Sequence, residues 1–432
     1  MSKIYPIEIA ETQTIFYPQQ QSGQRWNGAL ERAHLKTYAI CHCLADGNER
    51  KLAIKRVKSS FVFARYQETS HHHRHNCQFY GQSRTQSGLQ GYTREAVRQH
   101  SEGGLAITLA RGLQAPRTAN ENDAPPDVPR HENRGGRRNT MRLGGLLDLL
   151  WEEAGLNKWH PAKPKYWDLR VGTALLREAE KIHVGRLTLD QALLLPAQRS
   201  EKSNSKTIEH QRNLDVLEYG SKRDLRLIAI SPLARFDPIR DTWGGRNPNA
   251  GMPEQVQEYQ LRVGTPYGMP TLMLDAARSA SLQRSYDIEL AAWRNHKKVY
   301  AIVQLALRKT NPKVADILDI SLLYLSERFI PLDSSYEGEL EEALVEAQRS
   351  FIKPMRYEIE DEVFPDFWLQ DMGCEYPLEV FGMTTDTYRE RVAQKRTHYA
   401  DREKYPGGWW YWDLLERRDI PVLPAPVVLG AE

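Results

Sequence analysis

Two acidic residues near the end of the chain lie in segments that otherwise read as core strands. Asp366 follows a proline in PDFWLQD, and Glu379 lies inside the apolar run YPLEVFG. They are symmetric about the point between Met372 and Gly373, so a β-hairpin that turns there places them on neighbouring strands. Two facing carboxylates repel each other unless a cation neutralises them. The pattern predicts a Mg²⁺ (or Mn²⁺) site, and ordinary edge-strand charges are the alternative.

A polar segment after the hairpin, TDTYRERVAQKRTHYADREKY, has the pattern of an exposed helix. Tyr388, Arg391, Lys395 and His398 share one side of it at helical spacing. Lys395 could orient an attacking water or compensate charge in a transition state beside the carboxylates. A solvated helix surface is the alternative interpretation.

A third acid, Glu337, begins a helix in PLDSSYEGELEEALVEAQRSF. Ser334 and Glu337 have the S-x-x-E spacing of a capping box, in which the glutamate satisfies a backbone donor at the helix start. Glu341 lies one turn along on the same face, so the two glutamates could divide these tasks. Glu337 is therefore a candidate ligand of the same metal, with helix capping as the competing role.

Three of the four cysteines lie near the amino terminus, together with a run of histidines. CHC at 41–43 and HHHRHNC at 71–77 flank RKLAIKRVKSSFVFARY, which alternates like a hairpin. Folding that hairpin would bring Cys41, Cys43 and Cys77 together with one imidazole, a set that suits a closed, structural Zn²⁺ site. His73 is the preferred fourth ligand, while His71, His72 and His75 compete with it. Small buried cysteines beside a polar histidine loop are the alternative.

The composition bounds the class of protein that must position these residues. The chain has 432 residues, a formal net charge of +3 and 27% charged residues, values typical of a folded, water-soluble protein with more than one domain. No apolar run is long enough to span a bilayer, so no membrane partner is expected. The start, MSKIYPIEIAETQT, lacks the layout of a signal peptide, which makes the cytoplasm the expected location.

Shifts in composition divide the chain. Residues 111–142 are rich in Pro, Gly, Asn and charge, which predicts an exposed linker. Apolar residues recur at helical spacing in LLDLLWEEAG and again from Trp167 to Ile182, whereas buried strands and helices mix after residue 223. We therefore expect an α+β multidomain protein with a β-rich Cys/His module (1–110), the linker, a central helical region of bundle or winged-helix-like type (143–222) and an α/β domain (223–432).

The carboxy-terminal motifs DSSYE, PDFWLQD, PLEVFGM and YRERVAQKRTHY resemble the core of the PD-(D/E)XK superfamily, which includes restriction endonucleases. The resemblance implies a restriction-endonuclease-like α/β core in which Glu337, Asp366 and Glu379 hold Mg²⁺ and phosphodiester bonds are cleaved. The family's lysine, two residues after the second-strand acid, is replaced by Phe381. Lys395 matches the variant in which that lysine has moved to the adjacent helix.

Most of the chain is also similar to an uncharacterised bacterial family, a domain of unknown function carried by plasmids and integrative conjugative elements. The similarity rests on CHC, HHHRHNCQFYG, LLDLLWEEAGLNKWHP and the PDFWL to EVFGM run. Together these observations predict a metal-dependent endonuclease that acts on DNA in a mobile element or in defence. The alternative is a catalytically inactive nucleic-acid-binding or partner-binding protein that keeps the nuclease fold, and the oligomeric state stays open.

Overall fold

The structure is a computed structural model that describes residues 4–57, 60–74, 77–81, 92–93, 95–100, 104–115, 139–199, 206–244, 258–355, 363–382 and 386–427. Most of the predicted linker, residues 116–138, lies outside the described residues. The described chain is a mixed α+β fold in which helices pack on several sheets.

The helices and strands are numbered in chain order. The strands are β1 (Ile7–Ile9), β2 (Thr14–Phe16), β3 (Tyr38–Cys41), β4 (Lys51–Val57), β5 (Ser60–Arg65), β6 (Val97–Gln99), β7 (Leu105–Ile107), β8 (Lys158–Trp159), β9 (Ile182–Val184), β10 (Leu187–Thr188), β11 (Leu193–Leu194), β12 (Leu227–Pro232), β13 (Glu258–Leu261), β14 (Thr271–Asp275), β15 (Lys298–Arg308), β16 (Asn311–Leu325), β17 (Phe351–Ile352), β18 (Phe367–Leu369), β19 (Tyr376–Phe381) and β20 (Trp410–Asp413). The helices are α1 (Gly23–Ala33), α2 (Gln67–Ser70), α3 (Leu143–Glu153), α4 (Asp168–Ala179), α5 (Ile208–Lys222), α6 (Ala276–Ser285), α7 (Asp287–Arg294), α8 (Ser335–Glu346) and α9 (Asp386–Tyr399).

The amino-terminal sheet has the strand order β2-β1-β3-β4-β5, and its neighbouring strands are antiparallel. The β4–β5 hairpin is the one that the alternation after CHC predicts. Helix α1 covers the sheet with Trp26, Leu30 and Ala33, which recur at helical spacing and are buried. Because β3 and β5 both run antiparallel to β4, they end at the same edge of the sheet. The segments that follow them therefore emerge side by side.

Two sheets form the middle of the protein. The smaller has the order β10-β9-β7-β6, and the larger has the order β11-β12-β15-β16-β14-β13. The long antiparallel pair β15–β16 carries most of the larger sheet, and the segment DILDISLLYL, whose pattern fits a strand or a helix, is part of strand β16. Helix α3 packs on this pair, with the Trp151 ring against that of Tyr300 at 5.3 Å between centroids.

The carboxy-terminal sheet has the order β20-β19-β18-β17-β8. Strands β17, β18 and β19 form an antiparallel meander, and β20 runs parallel to β19 after the α9 crossover. The two-residue strand β8 pairs with β17 at the other edge, so a segment from the centre of the chain completes this sheet. Helices α8 and α9 thus flank a sheet in which β19 is an interior strand.

This sheet has two different faces. Phe367 and Leu378 point into the main core, which also contains Leu340 of α8, and we call this side the α8 face. Trp368 points the other way, into a separate hydrophobic cluster with Tyr399 of α9, and we call that side the α9 face. Alternation along each strand therefore decides which helix a side chain can meet.

The predicted domain boundaries do not coincide with the sheets. Strand β7 lies before the boundary at residue 110 but pairs with β9, and β11 lies before the boundary at residue 222 but pairs with β12. The two helices predicted in the central region are present as α3 and α4, yet residues 143–222 also contribute β8 to β11 to three sheets, rather than forming a helical bundle. Strands of two or three residues carry no detectable periodicity, which explains the difference.

In the part of the chain that the structure describes, no helix has both the length and the apolar character that crossing a bilayer requires.

Candidate functional site

The Cys/His cluster lies at the edge of the amino-terminal sheet where β3 and β5 end. Cys41 is the last residue of β3, and Cys43 follows it after one residue. His73 and Cys77 come from the turns after α2, where the Cys77 N–H donates to the Arg74 carbonyl at 2.7 Å. All four side chains are buried. The common edge of β3 and β5 therefore brings together two pairs of residues that lie 30 or more positions apart in the sequence.

The distances within the cluster fit a tetrahedral metal centre. Cys41 Sγ lies 3.8 Å from Cys77 Sγ, and His73 Nδ1 lies 3.5 Å from Cys43 Sγ and 3.6 Å from Cys77 Sγ. With zinc bonds of about 2.3 Å to sulfur and about 2.0 Å to nitrogen, the edges of a tetrahedron are about 3.8 Å between sulfurs and about 3.5 Å between sulfur and nitrogen. All four ligand atoms lie within 4.8 Å of one another, so the cluster could bind a metal such as zinc.

His73 is the histidine that joins the cysteines, as predicted. His71 and His72 instead contact each other edge to face outside the cluster, and His75 lies outside the described residues. The Arg74 backbone N–H donates to Cys43 Sγ at 3.3 Å. Such a bond stabilises negative charge on a sulfur and helps to fix its direction, as outer contacts of metal ligands do.

At the other end of the chain, Asp366 and Glu379 meet across the β18–β19 hairpin. Phe367 pairs with Leu378, and this register continues to place Asp366 beside Glu379. The hairpin is therefore centred between residues 372 and 373, as the symmetry of the two acids predicts. Asp366 lies just before β18, where its Oδ2 accepts a hydrogen bond of 2.7 Å from the Val380 N–H. Both carboxylates are buried.

Lys395 of α9 reaches Glu379. Its Nζ lies 2.6 Å from Glu379 Oε2 and donates to the Phe364 carbonyl at 3.1 Å. Glu379 is only 1% exposed, whereas the Lys395 side chain is 21% exposed. The ammonium therefore compensates a buried carboxylate while one side of it faces solvent.

Tyr399 lies one helical turn after Lys395, and its side chain is fully buried on the α9 face. Burial raises the pKa of the Tyr399 hydroxyl well above its usual range, and the charges of Glu379 and, to a smaller extent, Asp366 raise it further. Tyr399 is thus coupled electrostatically to the two carboxylates. Tyr388, one of the predicted helix residues, donates its hydroxyl to the Val380 carbonyl at 3.4 Å.

Glu337 does not join this group. Its Oε2 accepts from Lys353 Nζ at 2.6 Å and from the Asp333 N–H at 2.9 Å, and Lys353 also pairs with Asp333 at 3.0 Å. Its own N–H donates to the hydroxyl of Ser334, the residue that caps α8. The helix-capping role is thus present, in a form where the glutamate reaches back to residue 333. Glu341 is bound elsewhere, to Arg328 at 3.0 Å.

The two ion pairs lie on opposite faces of one sheet. Glu337 and Lys353 are on the α8 face, where the Lys353 ammonium lies 5.5 Å from the centre of the Phe367 ring. Glu379 and Lys395 are on the α9 face. Among the described residues, the three acids do not form a group whose ligand oxygens all lie within 4.8 Å, a criterion that the Cys/His cluster meets. Of the four predicted residues, the structure brings together Asp366, Glu379 and Lys395, and it holds Glu337 with Lys353 on the other face.

Two residues of these sites, Lys353 and Tyr399, were not predicted from the sequence, although each has a signal there. Lys353 is a single lysine in the apolar stretch FIKPM, and a lone charge in a buried strand is a signal that a partner of opposite charge exists. Tyr399 lies four residues after Lys395 on the same helical face, so the spacing alone could have found it.

Comparison with known proteins gives one match. A family model described as "Protein of unknown function (DUF1173)" matches residues 17–233 and 265–414. No curated protein and no solved structure matches the chain at a significant level.

Proposed function

The chain belongs to the DUF1173 family, and from that premise we propose that it is a metal-dependent phosphodiesterase that acts on DNA. The candidate active site is formed by Asp366, Glu379 and Lys395 on the α9 face. The observation that carries the proposal is the 2.6 Å contact of Lys395 Nζ with Glu379 Oε2. A lysine that belongs only to a solvated helix surface would extend into water rather than contact a carboxylate that is 1% exposed.

The charges of the site suit a divalent cation. Asp366 and Glu379 offer hard oxygen ligands on neighbouring strands, and Mg²⁺ accepts one or two carboxylates when water and substrate phosphate complete its shell. With the charge of Lys395 included, the three side chains have a net charge of −1. When bound, the ion would supply Lewis-acid polarisation of a phosphoryl oxygen.

Lys395 is the residue that would act on the attacking water. An ammonium has three N–H donors, and within the described residues two of them go to Glu379 and to the Phe364 carbonyl. The third can hold a water for attack on phosphorus or stabilise charge that develops on the phosphoryl oxygens. Hydrolysis then joins the water oxygen to phosphorus, breaks one ester P–O bond and returns a proton to the leaving alcohol.

The order of the acid-bearing segments supports the PD-(D/E)XK assignment. A helix with Glu337, a hairpin that opens with Asp366 and a next strand with Glu379 follow one another along the chain. In this chain Glu337 would stabilise the α8 face through Lys353 rather than bind the cation. The resemblance to a family carried by mobile elements makes foreign or element-borne DNA the substrate that we propose.

A cleavage assay on the full-length protein tests this function. Supercoiled, linear and single-stranded DNA would be incubated with Mg²⁺ or Mn²⁺ while zinc is retained. We expect cleavage that falls about a hundredfold or more in Glu379→Gln and Lys395→Met, as is typical when a charge-stabilising group is lost. Glu341→Gln, a buried acid paired with Arg328, and Lys309→Met, at an exposed lysine, are the matched controls. Full cleavage by Lys395→Met would contradict the proposed role.

One observation favours a second function. Phe381, at the position where the family has its lysine, is buried against Trp409 and Tyr411, so the usual catalytic position is filled by aromatic packing. This supports a catalytically inactive protein that keeps the fold and binds nucleic acid or a protein partner. DNA retention without cleavage under every metal condition is the result that would favour it.

We assign the Cys/His cluster to structural Zn²⁺. Three thiolates and one imidazole form a closed four-ligand set, which leaves no position for substrate. Such a centre contributes folding free energy to a small module. Metal analysis of the purified protein tests this assignment, with one zinc per chain as the expected result.

A further inference from the structure

The segment after Cys77 leads directly from the Cys/His cluster to the carboxy-terminal sheet. The Tyr80 N–H donates to the Cys77 carbonyl at 3.0 Å, which makes a tight turn of this segment. The next N–H, of Gly81, donates to the Ser70 carbonyl at 3.1 Å. Tyr80 is therefore fixed within one turn of a candidate metal ligand.

The Tyr80 carbonyl is held from two sides. Arg65, the last residue of β5 in the amino-terminal sheet, donates to it at 2.8 Å. Lys158, in strand β8 of the carboxy-terminal sheet, donates to it at 2.9 Å, and its ammonium lies 5.0 Å from the centre of the Tyr80 ring. Arg65 also pairs with Glu153 at the end of α3 at 2.8 Å. One backbone oxygen thus joins two sheets that are far apart in sequence.

The Tyr80 side chain completes the cluster on the α9 face. Tyr80 is 6% exposed and packs in the same cluster as Ile352, Trp368, Tyr399 and Tyr405. Tyr399 lies one helical turn from Lys395 on α9. The Tyr80 side chain, whose backbone is fixed beside the Cys/His cluster, is therefore part of the hydrophobic layer between α9 and its sheet.

We propose that metal binding at the Cys/His cluster stabilises the packing of α9 against its sheet. Tyr80 is the residue that couples the two sites. This inference rests on the proposed zinc centre but does not require the proposed nuclease activity. With metal bound, the turn from Cys77 to Gly81 is fixed, and the ring of Tyr80 stays in the cluster. Without metal the turn loses its anchor, and α9, whose outer surface is largely exposed, loses part of its packing.

The two ends of this connection must influence each other equally. If metal binding stabilises the position of Tyr80, then loss of the Tyr80 ring must weaken metal binding by the same factor, because coupling free energies are reciprocal. The connection consists of one turn, four hydrogen bonds, including the one that closes the turn, and one aromatic cluster, so it is short enough to test residue by residue.

Hydrogen–deuterium exchange of the full-length protein tests the proposal. Exchange would be compared with and without zinc in the segments 386–399 and 298–325, the second being the β15–β16 control. Removal of zinc should accelerate exchange in 386–399 by about tenfold or more, and in the control by less than about twofold. Tyr80→Ala with zinc bound should produce the same acceleration, and Tyr80→Phe, which keeps the ring, should not.

The outcomes distinguish a failure of the coupling between zinc and α9 from a failure of the proposed zinc centre itself. Purified protein without stoichiometric zinc would overturn the metal centre and the coupling together. Zinc that is present and removable, with unchanged exchange in 386–399, would overturn the coupling alone. Equal acceleration in 298–325 would show that zinc stabilises the whole fold rather than this face, which also overturns the coupling. Further acceleration when zinc is removed from Tyr80→Ala would show that Tyr80 is not the connection.

Discussion

Replacement of Lys395 by methionine removes the ammonium group while it keeps most of the length and apolar character of the side chain. Glu379, which is 1% exposed, then lies beside Asp366 without the ammonium that contacts it at 2.6 Å. The substitution therefore tests whether the lysine holds the carboxylate in the folded protein, separately from any activity.

The expected loss of stability follows from burial. Removal of one partner from a buried ion pair costs about 3–5 kcal/mol, because the remaining charge stays buried without compensation. Lys395 is about one fifth exposed, so solvent screens part of the interaction and the lower end, about 3 kcal/mol, is expected. The double variant Lys395→Met/Glu379→Gln buries no unpaired charge at this position and should regain roughly 2 kcal/mol.

Urea unfolding in zinc-containing, magnesium-free buffer measures these differences. Lys309→Met, at a lysine whose side chain is 86% exposed, is the matched control and should change the free energy of unfolding by less than about 0.5 kcal/mol. Added Mg²⁺ should stabilise Lys395→Met more than the wild type, because the ion would replace the lost positive charge. A loss below about 1 kcal/mol in Lys395→Met, or a double variant no more stable than the single one, would refute the reasoning.

Other predictions concern groups outside the α9 face. Cys43→Ser should lower the zinc content from one per chain to none, measured by elemental analysis, and retention of zinc would contradict the ligand set. Lys353→Met should cost about 3–5 kcal/mol in urea unfolding, because it removes one partner of a buried ion pair, yet Mn²⁺ affinity should not change since the pair lies on the α8 face. Burial raises the pKa of Glu341 above its ordinary value of 4.5, so the wild type loses stability as pH rises through the range above 4.5. Glu341→Gln should therefore gain stability relative to the wild type over that range, measured by urea unfolding at several pH values; a constant difference would contradict it.

Features that depend on local pattern could be predicted from the sequence. The hairpin follows from the symmetric placement of Asp366 and Glu379, and the register confirms its centre. The Cys/His cluster follows from two short motifs at the ends of a hairpin, and the choice of His73 among neighbouring histidines is confirmed by its contacts with two cysteines. In each case the relevant residues lie close in sequence or are joined by one hairpin.

Features that depend on the packing of distant segments could not be predicted. Glu337 has the right residue type and place in the chain order, but which face of the sheet α8 covers is decided by the whole core, and that choice directs Glu337 to Lys353. The role of Tyr80 requires the amino-terminal and carboxy-terminal sheets to lie side by side, which no local pattern encodes. The two-residue strand β8 is too short to give a periodic signal.

Strand β8 determines where a carboxy-terminal fragment of this protein can begin. A fragment cut at residue 223 would lack Lys158 and Trp159, and so would leave the backbone of β17 unpaired along the open edge of its sheet. Exposed strand edges recruit other chains, and such a fragment is therefore expected to self-associate. Isolation of the carboxy-terminal half should begin upstream of α3, which retains β8 together with the helix that precedes it.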